Sequence, residues 1–246
     1  MRFLAGVLVM CLGVTLGVGR TGADNKGEDP DELYRQREDL ASAKRAAAIW
    51  SANASTDFDA AWKLARAAYW LGGHAPSGDR RAALEQGISA GESAITLRPD
   101  RSEGHYWLAA DMGALAESFG MSQGLKYRSR IRSELERVLA IDPTWEQASA
   151  IAALGRWYYL VPRFFGGSRS KADEYYRRAL DQFPRNMAAL FFLGESLVAQ
   201  HRTMEAIEVL QRLIDAPIET EWAPEDRDFQ RKAANMLRTL APPTKS

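Results

Sequence analysis

Residues 171–184 read KADEYYRRALDQFP, and residues 205–217 read EAIEVLQRLIDAP. Ala172 recurs as Ala206 (206 − 172 = 34), and the large apolar residue four places later and the closing proline recur with it. A period of about 34 residues is typical of helical-hairpin repeats, in which small residues lie where the paired helices cross and proline ends the second helix. The stretch therefore predicts a stack of helix pairs.

Glycines mark the first helix of two successive pairs. Leu154-Gly155 and Leu193-Gly194 occupy equivalent places in the two pairs (194 − 155 = 39). The excess over the repeat period falls in residues 161–167, which contain a proline and two glycines and are therefore predicted to form an inserted loop.

Weaker copies of the repeat precede these two, and prolines at positions 99 and 143 end their second helices. The predicted pairs are 58–71 with 80–97, 102–119 with 123–141, 145–160 with 171–183, and 187–200 with 203–214. Helices over 32–50 and 224–240 are predicted to cap the stack, the first through the polar residues Arg35, Arg37, Glu38 and Lys44. No stretch alternates like a strand, so the predicted fold is all-α: a tetratricopeptide-like superhelix of helical hairpins with capping helices.

The N-terminus has the pattern of a secretory signal. Arg2 precedes an apolar run over residues 3–18, and small residues follow up to Ala23. This pattern predicts a signal peptide over 1–23 and a periplasmic or secreted protein, with an uncleaved membrane anchor as the alternative. The predicted organisation continues with a disordered linker over 24–31, a single α-solenoid domain over 32–241 and a tail over 242–246.

Composition argues against several classes of function. Cys11 is the only cysteine and lies within the predicted signal, so the mature chain is expected to have no disulfide, thiol nucleophile or cysteine-bound zinc. The 32 basic and 32 acidic residues balance, which disfavours nucleic acid as a partner. His74, His105 and His201 are widely spaced, and no phosphate loop or nucleophile elbow occurs. We therefore expect neither enzymatic activity nor a metal or cofactor.

The concave side of such a superhelix is lined by the first helix of each pair, so a binding face follows from the repeat register. Aromatic residues on this face provide contact area, and Arg156 and Lys63 are suited to hold a carboxylate. Plain packing between repeats is the alternative explanation. The candidate binding residues, including neighbours in the inserted loop, are Lys63, Trp70, Tyr106, Arg156, Trp157, Tyr159, Arg163, Phe191 and Glu195.

Two families share short stretches with this chain. The residues LGRWY at 154–158, Pro162, the Gly166-Gly167 pair, KA at 171–172 and AL at 179–180 resemble the T-component of tripartite ATP-independent periplasmic (TRAP) transporters. That resemblance implies a periplasmic homo-oligomer that associates with a substrate-binding subunit and passes a hydrophobic or organic-acid ligand. The inserted loop and APED at 223–226 are also similar to the regulator of microtubule dynamics family.

Two functions are consistent with these patterns. The first is an exported scaffold that docks a partner protein through its concave and loop surfaces. The alternative is a carrier of a small organic ligand, held in a pocket through the helical stack. The two differ in whether the aromatic side chains surround an enclosed cavity or an exposed groove.

Overall fold

A computed structural model describes residues 27–240, which form eleven α-helices, one short 3₁₀ helix and no strand. The predicted signal peptide, residues 24–26 of the predicted linker and the C-terminal tail lie outside this range. The α-helices are α1 (Pro30–Arg35), α2 (Leu40–Ser51), α3 (Phe58–His74), α4 (Ser77–Leu97), α5 (Ser102–Phe119), α6 (Met121–Ile141), α7 (Trp145–Leu160), α8 (Arg169–Gln182), α9 (Met187–Ala199), α10 (Thr203–Asp215) and α11 (Ala223–Leu240).

The all-α solenoid predicted from the repeats is confirmed. Four antiparallel hairpins, α3/α4, α5/α6, α7/α8 and α9/α10, stack in chain order, and each first helix also contacts the first helix of the next hairpin. The bounds of α5 and α7 match the prediction, and those of the other paired helices differ by a few residues at their ends. The inserted loop contains the 3₁₀ helix Arg163–Phe165.

The predicted opening helix over 32–50 is wrong in one respect, because the chain breaks into α1 and α2 at residues 36–39. Asp39 caps α2 by accepting hydrogen bonds from the amides of Ala41 and Ser42. Arg37 in the break turns inward and is 1% exposed, so its assignment to the polar outer surface is also wrong. Its guanidinium donates hydrogen bonds to Glu225 and to the Glu221 carbonyl, which hold Arg37 inward at the break.

The equivalent glycines of α7 and α9 lie where the paired helices touch. A Cβ atom on Gly155 would lie 2.5 Å from the ring of Tyr176, and one on Gly194 would lie 2.5 Å from a methyl carbon of Leu210. Tyr176 and Leu210 are the large residues of the repeat, and both are fully buried. In these two pairs, the repeat pattern therefore encodes a large buried side chain on the second helix and a glycine opposite it on the first.

We expect Gly155→Ala to lower the free energy of unfolding by about 1–2 kcal/mol, because the buried Tyr176 ring must move to admit the methyl group. Gly113 on α5 is the matched control, since a Cβ there meets no atom within 4 Å. Gly113→Ala should raise stability by up to about 1 kcal/mol through helix propensity. Urea denaturation measures both, and equal effects of the two substitutions would contradict the packing argument.

The last helix, α11, leaves the stack at α10 and returns to the N-terminal helices. Glu225 on α11 accepts a hydrogen bond of 2.8 Å from Nε of Arg37, and Arg227 pairs with Glu38. Glu221, in the connection before α11, accepts a hydrogen bond of 3.3 Å from Arg66 on α3. These contacts hold α11 across the open side of the superhelix, so the concave surface becomes a partly covered channel.

A left-handed turn begins α7. Glu146, Gln147 and Ala148 have φ values of 45°, 56° and 62°, although none of them is glycine. Each such residue costs roughly 1–2 kcal/mol relative to right-handed helix. The side-chain amide of Asn186, which caps α9, donates a hydrogen bond of 2.8 Å to the Gln147 carbonyl and holds this turn. The turn places Glu146 and Gln147 on the wall of the channel.

Candidate functional site

A channel of about 930 Å³ runs along the concave side of the superhelix. Its walls come from the first helices α3, α5, α7 and α9, together with part of α6, and α11 covers it. Gly113, Ala114, Ala153 and Ala188 contribute small side chains to these walls, and the small residues leave the space that defines the channel.

Aromatic rings form a continuous cluster at the N-terminal end of the channel. The ring centroids of Tyr69 and Trp107 are 5.7 Å apart, and those of Trp107 and Trp222 are 6.5 Å apart. Tyr106 packs against Trp107 on one side and against Trp145 on the other, at 5.1 and 4.7 Å. The rings come from α3, α5, α7 and the connection before α11, so closure of the channel completes the cluster.

Carboxylates line the channel beside this cluster. Burial raises the pKa of Asp226 to about 6, although its Oδ2 atom accepts a hydrogen bond of 2.9 Å from the Glu219 amide. Burial also raises the pKa of Glu146, an effect that the nearby Arg66 guanidinium opposes. Glu219 and Glu225 line the same wall. This wall therefore favours apolar or cationic groups over anionic ones.

The opposite wall contains Arg156 on α7. One guanidinium nitrogen donates a hydrogen bond of 2.6 Å to Glu195 on α9, and the other pairs with Glu117 on α5. The guanidinium also lies 4.8 Å from the centroid of the Phe192 ring. Arg156 thus joins three first helices through side chains of this chain, and its charge is balanced by two carboxylates.

Six of the nine candidate residues from the sequence line the channel: Trp70, Tyr106, Arg156, Trp157, Phe191 and Glu195. The other three lie outside its wall. Lys63 pairs with Asp31 on α1 at 2.7 Å, Tyr159 packs beside Arg156 at 5.4 Å, and Arg163 begins the 3₁₀ helix of the inserted loop. Arg156 and Lys63, suggested by the sequence as carboxylate binders, each contact a carboxylate of this chain.

Sequence reasoning missed the contribution of the C-terminal region. Trp222, Phe229 and Met236 line the channel, and Phe229 packs 5.5 Å from Phe191 on α9. Phe229 and Met236 are two helical turns apart and share one face of α11, and Trp222 precedes the helix at the same seven-residue spacing, which is the signal that identifies them. The sequence predicts 224–240 as a capping helix, and the structure shows that this helix also lines the channel.

Two of the three histidines have structural contacts. His105 bridges α5 and α6: its Nδ1 lies 2.6 Å from a Glu134 carboxylate oxygen, and its Nε2 lies 3.0 Å from the Pro99 carbonyl. His74 stacks on Trp70 at 3.6 Å. Within residues 27–240, no group of three or more histidine, cysteine or acidic side chains is arranged to hold a metal ion. In the same range, no helix is both long and apolar enough to cross a membrane.

The sequence profile of the regulator of microtubule dynamics protein 1-3 family matches residues 28–164. This region covers α1 to α7 and most of the channel wall. The chain belongs to this family. Membership in the regulator of microtubule dynamics family confirms one of the two resemblances seen in the sequence, whereas the resemblance to TRAP T-components stays a prediction.

A solved structure shares the fold of this family member. A thermophilic tetratricopeptide-repeat protein of Thermus thermophilus, TTC0263, matches with a TM-score of 0.62 at 20% identity, over 85% of this chain and 97% of that one. A structure of MamA matches more distantly, with a TM-score of 0.48 at 18% identity, over 84% of this chain and 99% of that one. No curated protein sequence matches significantly.

Proposed function

We propose that this protein is an exported, non-catalytic scaffold that takes an apolar segment of a partner protein into its concave channel. The observation that carries the proposal is the partly covered channel of about 930 Å³, lined by aromatic and small side chains from four first helices and by α11. Helical-repeat superhelices present such concave surfaces to their partners. Export rests on the signal-like N-terminus, which lies outside the described residues.

The charges in the channel define the segment further. Glu146, Glu219 and Asp226 line the wall near the aromatic cluster and form no ion pair among the described residues, whereas Glu225 is paired with Arg37 and Arg156 with two carboxylates. A segment that enters here should therefore combine an apolar face with a basic side chain. The resemblance to TRAP T-components supports a transporter's substrate-binding subunit as the partner.

A small-ligand carrier is the second candidate, and the volume of the channel favours it. Pockets that enclose small organic ligands typically measure about 300–1,000 Å³, and this channel falls within that range. A carrier and a scaffold would use the same walls, so the identity of the bound molecule separates them.

Filling the channel tests both candidates. Gly113 lines the channel, and a Cβ atom added there meets no atom within 4 Å, so Gly113→Trp should direct the indole into the channel without unfolding the protein. We expect this variant to lose at least about tenfold in affinity, because the indole takes the place of the bound group. Gly113→Ala is the control and should keep full affinity.

The measurement is affinity capture of tagged wild-type and variant proteins from their native compartment, with mass spectrometry of proteins and of extracted small molecules. A protein lost from the Gly113→Trp capture and retained by Gly113→Ala supports the scaffold. A small molecule with the same behaviour supports the carrier. If every captured species is equally abundant with both variants, the channel is not the binding site and both candidates fail.

A further inference from the structure

The inserted loop carries the most exposed aromatic side chain of the described residues. Phe164 is 91% exposed, and the adjacent Phe165 is 37% exposed. Met121 at the start of α6 is 70% exposed and Leu160 at the end of α7 is 43% exposed. Met121, Leu160 and Arg128 all line the channel. The Arg128 guanidinium lies 5.1 Å from the centroid of the Phe165 ring.

The backbone holds these rings outward. The amides of Phe165 and Gly167 both donate hydrogen bonds to the Pro162 carbonyl, at 2.8 and 3.2 Å, and the Ser168 amide donates one of 2.8 Å to Tyr158. The turn is so tight that a Cβ on Gly167 would lie 1.5 Å from the Val161 carbonyl oxygen. The exposure of Phe164 is therefore a feature of an ordered loop. We call residues 160–165 the Phe164 knob.

The surroundings of the Phe164 knob are cationic. No acidic residue occurs from 147 to 172 or from 118 to 133, and each of these stretches contains four lysines and arginines, of which Arg130, Arg132 and Arg156 pair with carboxylates outside the stretches. Arg128, Arg163, Arg169 and Lys171 form no ion pair within the part of the chain that the structure describes, in contrast to most arginines of this protein. The whole chain has no net charge, so these residues, which are adjacent to the Phe164 knob in the sequence or in contact with it, are a local excess of positive charge.

We propose that the Phe164 knob inserts into an anionic lipid surface. Exposed aromatic and aliphatic side chains ringed by lysine and arginine are the chemistry by which peripheral proteins enter the interface of a charged bilayer. Unpaired cations complement lipid phosphates, and a convex knob enters the headgroup layer without a matching pocket. The proposal does not depend on what occupies the channel.

A local fluorescent probe tests the proposal in the full chain. Because Cys11 is the only cysteine, Cys11→Ser with Phe164→Cys provides one site for an NBD dye at the tip of the knob. Cys11→Ser with Met204→Cys is the matched control, since Met204 is apolar, 79% exposed and lies on α10. Both labelled proteins are mixed with vesicles of phosphatidylcholine alone, or of phosphatidylcholine in which roughly one lipid in three is the anionic phosphatidylglycerol.

We expect NBD at position 164 to brighten several-fold and shift to the blue with the anionic vesicles only, while NBD at position 204 stays unchanged. Adding Arg163→Gln and Arg169→Gln should weaken the apparent vesicle affinity roughly 25-fold, about fivefold for each charge. The neutral vesicles control for insertion of the apolar N-terminus, which does not need anionic lipid.

Four results would overturn the proposal. No response at position 164 with anionic vesicles would show that the knob stays in water. An equal response with neutral vesicles, or at position 204, would show that the charges or the knob are irrelevant. A rise at position 164 that depends on protein concentration without vesicles would identify a second copy of the chain as the occupant.

Discussion

Arg37→Met lowers the free energy of unfolding by about 3–5 kcal/mol, which is the expected cost of removing one partner from a buried ion pair. Arg37 is 1% exposed, and its guanidinium donates hydrogen bonds to Glu225 and to the carbonyls of Tyr34 and Glu221, at 2.8, 3.1 and 3.0 Å. Methionine fills similar space but donates none of these bonds. The Glu225 carboxylate and the Glu221 carbonyl, from the opposite end of the chain, lose this donor, whereas the Tyr34 carbonyl still accepts the backbone amide of residue 37.

The loss of stability in Arg37→Met should be concentrated in α11. Arg37 and Glu225 are 188 residues apart in the chain, and their contact is one of few that tie α11 to the N-terminal helices. We expect amides of α11 to exchange hydrogen faster in Arg37→Met, while those of α9 keep most of their protection. Hydrogen exchange followed by mass spectrometry measures this difference.

The double variant Arg37→Met with Glu225→Leu is the control. Because it removes both charges of the pair, it should be more stable than Arg37→Met alone. A loss of less than about 1 kcal/mol in Arg37→Met, or uniform faster exchange in all helices, would show that Arg37 does not close the channel.

The repeats of the sequence predict the helical stack well, because each pair is encoded by local spacing. Ala172, Tyr176 and their equivalents set the helix crossings, and α5 and α7 have the predicted bounds. The same local spacing also put Trp70, Arg156 and Phe191 on one concave face. Information of this kind lies within one or two repeats and can be read from the sequence.

The closure of the channel could not be predicted in this way. Arginine is usually found at the protein surface. Arg37 is buried here because the return of α11 supplies Glu225 and the Glu221 carbonyl as hydrogen-bond acceptors. The left-handed turn that sends Glu146 into the channel has no glycine to mark it, and is held by Asn186 from the next repeat. Long-range polar contacts decided both features, and no local pattern encodes them.

Asp111→Asn is expected to raise the free energy of unfolding by about 3 kcal/mol at pH 8, because an unpartnered buried carboxylate costs more than a neutral group. Asp111 lies on α5, is 0% exposed and packs so closely on α4 that a Cβ on Gly87 would be 2.3 Å from its Oδ2 atom. Neither carboxyl oxygen has a hydrogen-bond partner among residues 27–240. Asparagine keeps the shape, so packing on Gly87 is preserved.

The sign of the pH dependence follows from the pKa. Burial raises the pKa of Asp111 well above its value of about 3.9 in the unfolded chain, so the native state holds this proton over a range of pH in which the unfolded state has lost it. Raising the pH above about 4 therefore favours unfolding, until the native carboxyl also ionises. Asp111→Asn should remove this contribution to the decrease of the unfolding free energy with rising pH. The two proteins should therefore be closest in stability near pH 4.

Urea denaturation of both proteins at several pH values measures the difference. Asp79→Asn is the control, since Asp79 is exposed and pairs with Lys44 at 3.0 Å, an interaction worth at most about 1 kcal/mol. If Asp111→Asn is instead less stable than the wild type at pH 8, the ionised carboxylate must have a bound water or cation as its partner. The buried carboxyl would then be a binding group rather than a source of instability.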